Sequence, residues 1–505
     1  MVLELERIDN LELAKQVLRL LEKENARLHE RLRALAEEND KLRGTEGRLQ
    51  LELTQVQEHL ALVQQRLFGA SSEKQPRPGK EEKPPGDEPS SRGGHGHRPQ
   101  LELRPRVECH TLGADEVTCD KCGHQMDVWP NQFEEAEEVT VVVRRYELVK
   151  RKRQKYRCAC NANVVTAPAP PRLIPGGRYS LEFAIEVAVD KYADHLPLER
   201  QIRRMRREGL EVTTTVLWDY LDALARYLEP SYEGVGDSLF RERYLHLDET
   251  TWRLLLGRPA QRWWLWSAAS TKGVYFWFHP GRSVDAALEF LAGYRGKLIV
   301  DGYRVYKSLA RAHPGQLCLV NCWAHARRKF VEAQPHYPAP CQPILSWLQR
   351  LYRLEARVPD PATLTGRERR RALKRRWKLR RRYAGPLVKA IRTWALRQSA
   401  LPGTSLHKAI SYLIDHWDGL TRFLDDPALP LDNNLVEREL RSPVTGRKNH
   451  YGSRSLRGTE VAAIFYTLIG TARLCGENPK DYLFRAARAA IAQPGTVTLP
   501  RKIGP

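Results

Sequence analysis

From residue 244 onward, short apolar runs alternate with amphipathic stretches, and this order restricts folding more than any other feature. Tyr244-Leu-His-Leu-Asp248 reads as a strand ending in an acid. Arg262-Trp-Trp-Leu-Trp-Ser-Ala268 and Val274-Tyr-Phe-Trp-Phe278 read as two more, with Ser270-Thr-Lys-Gly273 as a hairpin turn between them. Ser283 is placed to cap a helix reaching Tyr294. Lys297-Leu-Ile-Val-Asp301 is a fourth strand, again ending in an acid. A helix is expected from about Tyr303, then a fifth strand Leu317-Cys-Leu-Val-Asn321, then a third helix over residues 323–334. Such an order predicts a mixed sheet covered by helices.

The βββαβαβα order resembles that of the ribonuclease-H-like fold. In that topology strands one and four are neighbours, so Asp248 and Asp301 would meet at adjacent strand ends. Carboxylates a few ångströms apart repel and need a cation. Oxygen donors with open positions suit Mg²⁺ or Mn²⁺. Two such ions about 3.5–4 Å apart can activate a water or a 3′-hydroxyl and steady the leaving oxygen. A third acid must then come from a helix. Residues 432–449 supply one: Glu437 sits among Asp432, Asn433, Asn434 and the cations Arg438, Arg441, Arg447 and Lys448. Asn433 or Asn434 is placed to cap this helix and Pro443 to stop it. Arg441, one turn on, shares the face of Glu437 and suits a phosphate oxygen. Glu439 falls on a different face. A strand-final Asp is also a common turn former, and Glu249 rivals Asp248 from the next position.

A chain of 505 residues exceeds one core, so several domains are expected. Lys and Arg total 83 against 61 acids, a net +22, and the excess is clustered, which favours a polyanionic partner, double-stranded DNA. Acids at once (Glu4, Glu6, Asp9) argue against a signal peptide, and no run nears about 18 apolar residues. A soluble, cytoplasmic protein with no membrane contact is expected. Apolar positions step by three and four through Leu11, Leu18, Leu21, Asn25, Leu28, Leu32, Leu35, Asn39 and Leu42, slip at Gly44, Glu46 and Gly47, and resume from Leu49 to Leu67. That is a coiled-coil seam of about eight heptads, with Asn25 and Asn39 at positions where a buried amide favours an in-register dimer. A single helix packed on its own chain is the alternative. The glycines predict a weak point in mid-coil.

Residues 70–100 lack large apolar side chains and read as a flexible linker. Cys119-Asp-Lys-Cys122 and Cys158-Ala-Cys160 offer four thiolates for one structural Zn²⁺, with Val139-Thr-Val-Val-Val-Arg-Arg-Tyr146 as a strand between them. Free thiols in a small β unit are the alternative. Residues 179–228 look helical. Arg203, Arg204 and Arg207 precede a break at Gly209, and Thr213-Thr214-Thr215 caps a helix through Leu228. This pattern fits a helix-turn-helix or a plain helical bundle. Between Asp301 and Glu437 the chain is too long for a loop. Within it residues 367–382 hold 11 basic residues in 16, Arg375 and Arg376 among them. Such a helix reads as a DNA-backbone contact and not as buried core. Cys322-Trp-Ala-His325 lacks a second donor pair and reads as structural.

Phe68-Gly-Ala-Ser-Ser-Glu73, Lys191-Tyr-Ala-Asp-His-Leu-Pro-Leu198, Asp248-Glu-Thr250, Asp301-Gly-Tyr303 and Cys322-Trp-Ala-His-Ala-Arg-Arg-Lys-Phe330 together resemble the bacterial insertion-sequence transposases of the "IS sixty-six" family. So do Asn433-Asn434 with Glu437-Arg438, Gly446-Arg-Lys-Asn449 and Leu468-Ile-Gly-Thr-Ala-Arg473. The resemblance implies that Asp248, Asp301 and Glu437 are DDE acids holding two Mg²⁺ or Mn²⁺ ions. It further implies that the cysteines bind zinc, that the zipper makes a homodimer or larger assembly, and that small accessory proteins of the same element assist. The second cysteine pair is C-x-C where C-x-x-C is expected. After Asn449 the chain is shorter than the family pattern. The implied organisation is a coiled coil (1–69), linker (70–100), zinc-binding β module (101–175), helical, helix-turn-helix-like DNA-binding region (176–240), ribonuclease-H-like catalytic core (241–335), basic helical insertion (336–430), core completion with C-terminal helices (431–490) and tail (491–505). The implied activity is cleavage at terminal inverted repeats and joining of 3′-hydroxyl ends to target DNA. A DNA-binding regulator derived from such an enzyme, or a structure-selective nuclease, are the competing readings.

Overall fold

A computed structural model describes residues 11–68, 121, 124, 146–157, 164–257, 259–291 and 293–501. The four cysteines Cys119, Cys122, Cys158 and Cys160 and the linker 70–100 lie outside the described residues, as does the expected strand ahead of Tyr146. No helix among the described residues is long and apolar enough to cross a membrane.

Helix α1 (Leu11–Phe68) is a single run of 58 residues. Its backbone stays helical through Gly44 and Gly47, so the expected weak point is not a break. Leu18, Leu21, Leu28, Leu32, Leu35, Leu42, Leu49, Leu53 and Val56 are each more than half exposed, and Asn25 and Asn39 are exposed beside them. Short strands β1 (Lys155–Arg157) and β2 (Val164–Thr166) pair antiparallel.

Three helices follow: α2 (Leu181–Tyr192), α3 (Leu198–Arg207) and α4 (Thr214–Leu239). Ser180 and Thr213 cap the first and third through their hydroxyls. Helix α4 continues past the expected end at Leu228, through Pro230, because Leu228, Ser231, Val235 and Leu239 extend its buried face. Strands β3 (Tyr244–Leu254), β4 (Gln261–Ser270), β5 (Gly273–His279), β6 (Gly296–Val300) and β7 (Leu317–Asn321) form one sheet in the order β5-β4-β3-β6-β7. The first three are antiparallel neighbours; β3–β6 and β6–β7 are parallel. Thr271-Lys272 is the tight turn joining β4 to β5. Helices α5 (Val284–Leu291), α6 (Arg304–Ala312) and α7 (Trp323–Ala333) connect or follow the parallel strands.

Between α7 and the C-terminal helices lie α8 (Pro338–Glu355), α9 (Gly366–Leu379), a π turn over Arg380–Ala384, α10 (Gly385–Arg397), α11 (Ser405–Asp415) and α12 (Trp417–Thr421). They share a core with the sheet. Alternate residues of β6 face opposite sides: Leu298 and Val300 enter one cluster with α2, α4 and α14, while Ile299 packs with Val320, Leu348, Ile391 and Leu413 of the insertion. The expectation that residues 367–382 cannot be core is corrected here. Ala372, Arg376, Arg380 and Ala384 recur every fourth position and are buried. Arg380, fully buried, donates through Nε to Glu355 Oε1 (2.8 Å) and through its terminal nitrogens to Glu355 Oε2 (2.7 Å) and the carbonyls of Phe423, Asp426 and Leu429. Arg376 Nε donates to Glu355 Oε2 at 2.7 Å. Each buried charge is therefore paired and saturated with hydrogen bonds, the condition under which burial is tolerated.

Three helices complete the fold: α13 (Asn434–His450), α14 (Leu456–Leu474) and α15 (Pro479–Ala492). Helix α14 lies along β5. Thr467 and Thr471, one turn apart, accept from Phe276 N (2.9 Å) and Val274 N (3.2 Å), so their hydroxyls satisfy an otherwise unpaired sheet edge. Gly470 permits this approach: a Cβ there would lie 2.8 Å from Val274 Cγ1.

Candidate active site

Asp248 does not end its strand. β3 runs on to Leu254 against β4, because Thr250, Thr251 and Trp252 are good strand formers with partners across the hairpin. What ends near Asp248 is the pairing with β6, whose last matched residues are His246 and Ile299. Extending that register places Asp248 opposite Asp301, across strands roughly 4.8 Å apart. Asp301 follows β6 directly, and its Oδ1 accepts from Tyr303 N at 2.8 Å. Asn321 Nδ2 holds its carbonyl at 3.0 Å. Burial and the charges of Glu249, Asp301 and Glu437 push the Asp248 carboxyl up to about 8, against the hydrogen bond from Glu249 N. Asp248 and Asp301 thus meet at neighbouring strand positions.

Glu249 points elsewhere. Its Oε1 pairs with Arg282 at 2.6 Å and its Oε2 accepts from the buried Tyr306 hydroxyl. The Arg282 guanidinium lies over the Tyr303 ring, 3.7 Å from its centroid. Glu249 thereby fixes the packing behind Asp248 and the turn after Asp301.

Glu437 comes from the first turn of α13, and Asn433 positions that turn. Asn433 stands at the N-cap but makes no cap hydrogen bond with its side chain, which corrects its expected role. Fully buried, it donates through Nδ2 to Leu247 O (2.7 Å), pairs through Oδ1 with His246 Nδ1 (3.1 Å) and gives its backbone N–H to Cys322 Sγ (3.2 Å). Asp432 Oδ1 accepts from Asn434 N instead, at 3.2 Å. Burial takes His246 down to about 4, so the ring beside Asn433 is neutral. The start of α13 is therefore stitched to β3 one residue before Asp248.

Pro443 does not stop α13 either. The helix passes through it to His450, because Pro443 is buried along with Val436, Leu440 and Gly446, and that packing offsets one missing backbone bond. The helix ends at Tyr451 in a left-handed conformation, φ 65°, with its N–H on Arg447 O. The shortened segment after it seals onto β3: Ser453 N donates to Arg253 O and Leu255 N to Ser453 O.

The motif beginning at Cys322 contributes more than the sequence suggested. Helix α7 brings His325 Nδ1 to 3.7 Å from Glu437 Oε1 and Arg328 to 3.5 Å from Glu437 Oε2. Donor atoms of Cys322, His325 and Glu437 all lie within 4.8 Å of one another. Both His325 Nδ1 and Glu437 Oε1 are buried without a hydrogen-bond partner among the described residues. Burial raises the Cys322 thiol to about 12, so it is a neutral acceptor for Asn433 N. Crowded carboxylates beside orphaned donor atoms fit a hard divalent cation. The missing second donor of the Cys322–His325 pair was thus Glu437, far away in sequence.

The predicted DNA contacts divide. Arg203, Arg207, Arg375, Arg438, Arg441 and Lys448 are exposed. Arg204, by contrast, is ion-paired with buried Asp190, and Arg376 with Glu355. Arg447 donates to the Thr251 carbonyl and to the hydroxyls of Thr250 (3.3 Å) and Thr251 (3.2 Å). These three are structural cations. A cavity of about 280 Å³ opens beside Asp301, with Lys307 and Arg311 on its wall. A larger one, about 580 Å³, is lined by Arg243, Lys297 and Arg422 and holds none of the three acids.

This arrangement coincides with a family match. Residues 176–461 match the family described as Transposase IS66 family, and the chain belongs to it. Two relatives from Sinorhizobium fredii are the uncharacterized proteins y4jD, 32% identical over 66% of this chain and 66% of its own, and y4qI, 30% identical over 69% and 66%. A third, the uncharacterized protein y4hP of the same organism, is 25% identical over 76% of this chain and 71% of its own. The match spans about two thirds of the length of the first two.

Proposed function

We propose that this chain is a metal-dependent DDE transposase that cleaves at the terminal inverted repeats of its insertion sequence and joins the freed 3′-hydroxyl ends to target DNA. One observation carries the reading: the β3–β6 register sets Asp248 opposite Asp301, and Asn433 fastens the start of α13, which bears Glu437, to Leu247 beside Asp248. The strand order and the two parallel pairings support a ribonuclease-H-like core over residues 241–335, completed by 431–490. Asp248, Asp301 and Glu437 would hold two Mg²⁺ or Mn²⁺ ions, which supply activation of the attacking oxygen and stabilisation of the leaving one. The protein's own part is positional. Asn433 fixes the start of α13, Glu249 and Arg282 fix the surroundings of Asp248 and Asp301, and Arg328 orients Glu437. Exposed Arg438, Arg441 and Lys448 would hold backbone phosphates so that one scissile linkage faces the acids. Water attacks phosphorus and the P–O3′ bond breaks, leaving a 3′-hydroxyl on one fragment of the cut strand and a 5′-phosphate on the other. In joining, that hydroxyl forms a new phosphodiester in target DNA as the target's own 3′-oxygen leaves.

The remaining regions fit supporting roles. Residues 1–69 would pair two subunits, a reading favoured by the exposed leucine stripe of α1. Cys119, Cys122, Cys158 and Cys160 would hold one structural Zn²⁺ in residues 101–175. Helices of residues 176–240 and the insertion of 336–430 would contact DNA, through Arg203, Arg207 and Arg375 in particular. The chain would act in the bacterial cytoplasm, with small accessory proteins of its element as further partners.

A strand-transfer assay with Mg²⁺ or Mn²⁺ on DNA carrying the element's ends tests the reading. Asp301→Asn should bind the ends and fail to join them. Joining at wild-type rates by Asp301→Asn would sink the mechanism. Binding without joining by the wild type would identify a regulator instead.

A further inference from the structure

His325 stands on the first turn of α7, facing α13. Its Nδ1 is 3.7 Å from Glu437 Oε1, and both atoms are buried without a hydrogen-bond partner among the described residues. That gap is too long for a hydrogen bond. It is also too short for a bridging water, which would separate the two atoms by about 4.5 Å. Two donors about 2.1 Å from a common ion lie roughly 3–4 Å apart, which matches. Glu437 is turned toward this gap because Arg328 occupies its other oxygen at 3.5 Å. Cys322 Sγ, the third member of the cluster, accepts Asn433 N–H at 3.2 Å.

We propose that His325 is, through Nδ1, a protein ligand of a divalent ion held by Glu437, so that the two metal positions are chemically unequal. The inference rests on the metal-dependent reading of the acids. One position then has a nitrogen donor and the other is all oxygen. Imidazole favours transition ions over Mg²⁺, whereas carboxylate and water ligands suit Mg²⁺. The nitrogen-bearing position should therefore prefer Mn²⁺.

The experiment uses tag-free full-length protein labelled with ¹⁵N-histidine, loaded with Mn²⁺ alone and examined by pulsed electron paramagnetic resonance. Wild type should show histidine-nitrogen hyperfine coupling to bound Mn²⁺. His325→Ala should lose that coupling and bind one Mn²⁺ about tenfold or more weakly, with its thermal melt in chelator unchanged. Bound Mn²⁺ without histidine coupling in wild type, or coupling that survives in His325→Ala, would overturn the ligand assignment and leave the carboxylate site standing. Wild type that binds no Mn²⁺ at Asp248, Asp301 and Glu437 would overturn both.

Discussion

Replacing Glu355 by Gln would take from Arg380 its ion-pair partner inside the fold and leave Arg376 with only Asp360, at 3.7 Å. Burial alone would raise the Glu355 carboxyl, but the hydrogen bonds and charges of Arg380 and Arg376 hold it below the usual carboxylate range. A depressed pKa contributes stability above the unfolded value, near 4.3, that is lost as pH falls through the folded value. Glu355→Gln is expected to cost about 3–5 kcal/mol in denaturant melts at pH 7, and wild type should lose this advantage as the solution is taken below about pH 4. Asp248 has the opposite sign. Its carboxyl is raised to about 8, so the metal-free protein loses stability as pH climbs from about 4 to 8. Asp248→Asn should therefore stabilise the protein in chelator at pH 8, by on the order of 5 kcal/mol in denaturant melts, and the difference should fade toward pH 4. A destabilised variant at pH 8 would refute the crowding of acids. The three acids were readable from residue type and position, whereas Asn433 was not, since nothing local tells an asparagine at a helix start to reach for another strand.

At the scale of elements, alternation and helical periodicity located all five strands of the main sheet and the order of helices around them. Ends were harder. Pro230 and Pro443 look like stops, and each costs about 3 kcal/mol in an isolated helix, yet both helices continue because their buried faces continue. The basic insertion misled in the same way. A run of arginines looks solvated until a single acid, Glu355 on another helix, supplies the charge that lets Arg376 and Arg380 turn inward. Exposed cations on α13 behave as their charge suggests. Arg441→Ala with Lys448→Ala should weaken DNA binding similarly across sequences and reduce the slope of log affinity against log salt by about 1.8. An unchanged slope would place the DNA elsewhere.

For the whole molecule, the apolar stripe of α1 stands exposed from Leu18 to Val56 among the described residues. Leu28→Asp with Leu35→Asp should lower the mass seen by light scattering to that of one chain and leave the melt of the remaining fold unchanged. A mass that stays above one chain would move the interface off this helix. The long helix and its apolar stripe were legible because their spacing is local, whereas the joining of insertion and sheet into shared cores depends on contacts no local pattern records. Helix α13 also joins distant places. It carries Glu437 at one end, is clamped to β3 by Arg447 near the other, and gives Asn449 Nδ2 to the His195 carbonyl in the turn between α2 and α3, at 3.0 Å. From Glu437 to Asn449 the rod spans roughly 18 Å, so a tilt of about 3° shifts the carboxylate by about 1 Å. Displacements of that size change rates about a hundredfold. The seating of the α2–α3 turn therefore bears on where the Glu437 carboxylate stands.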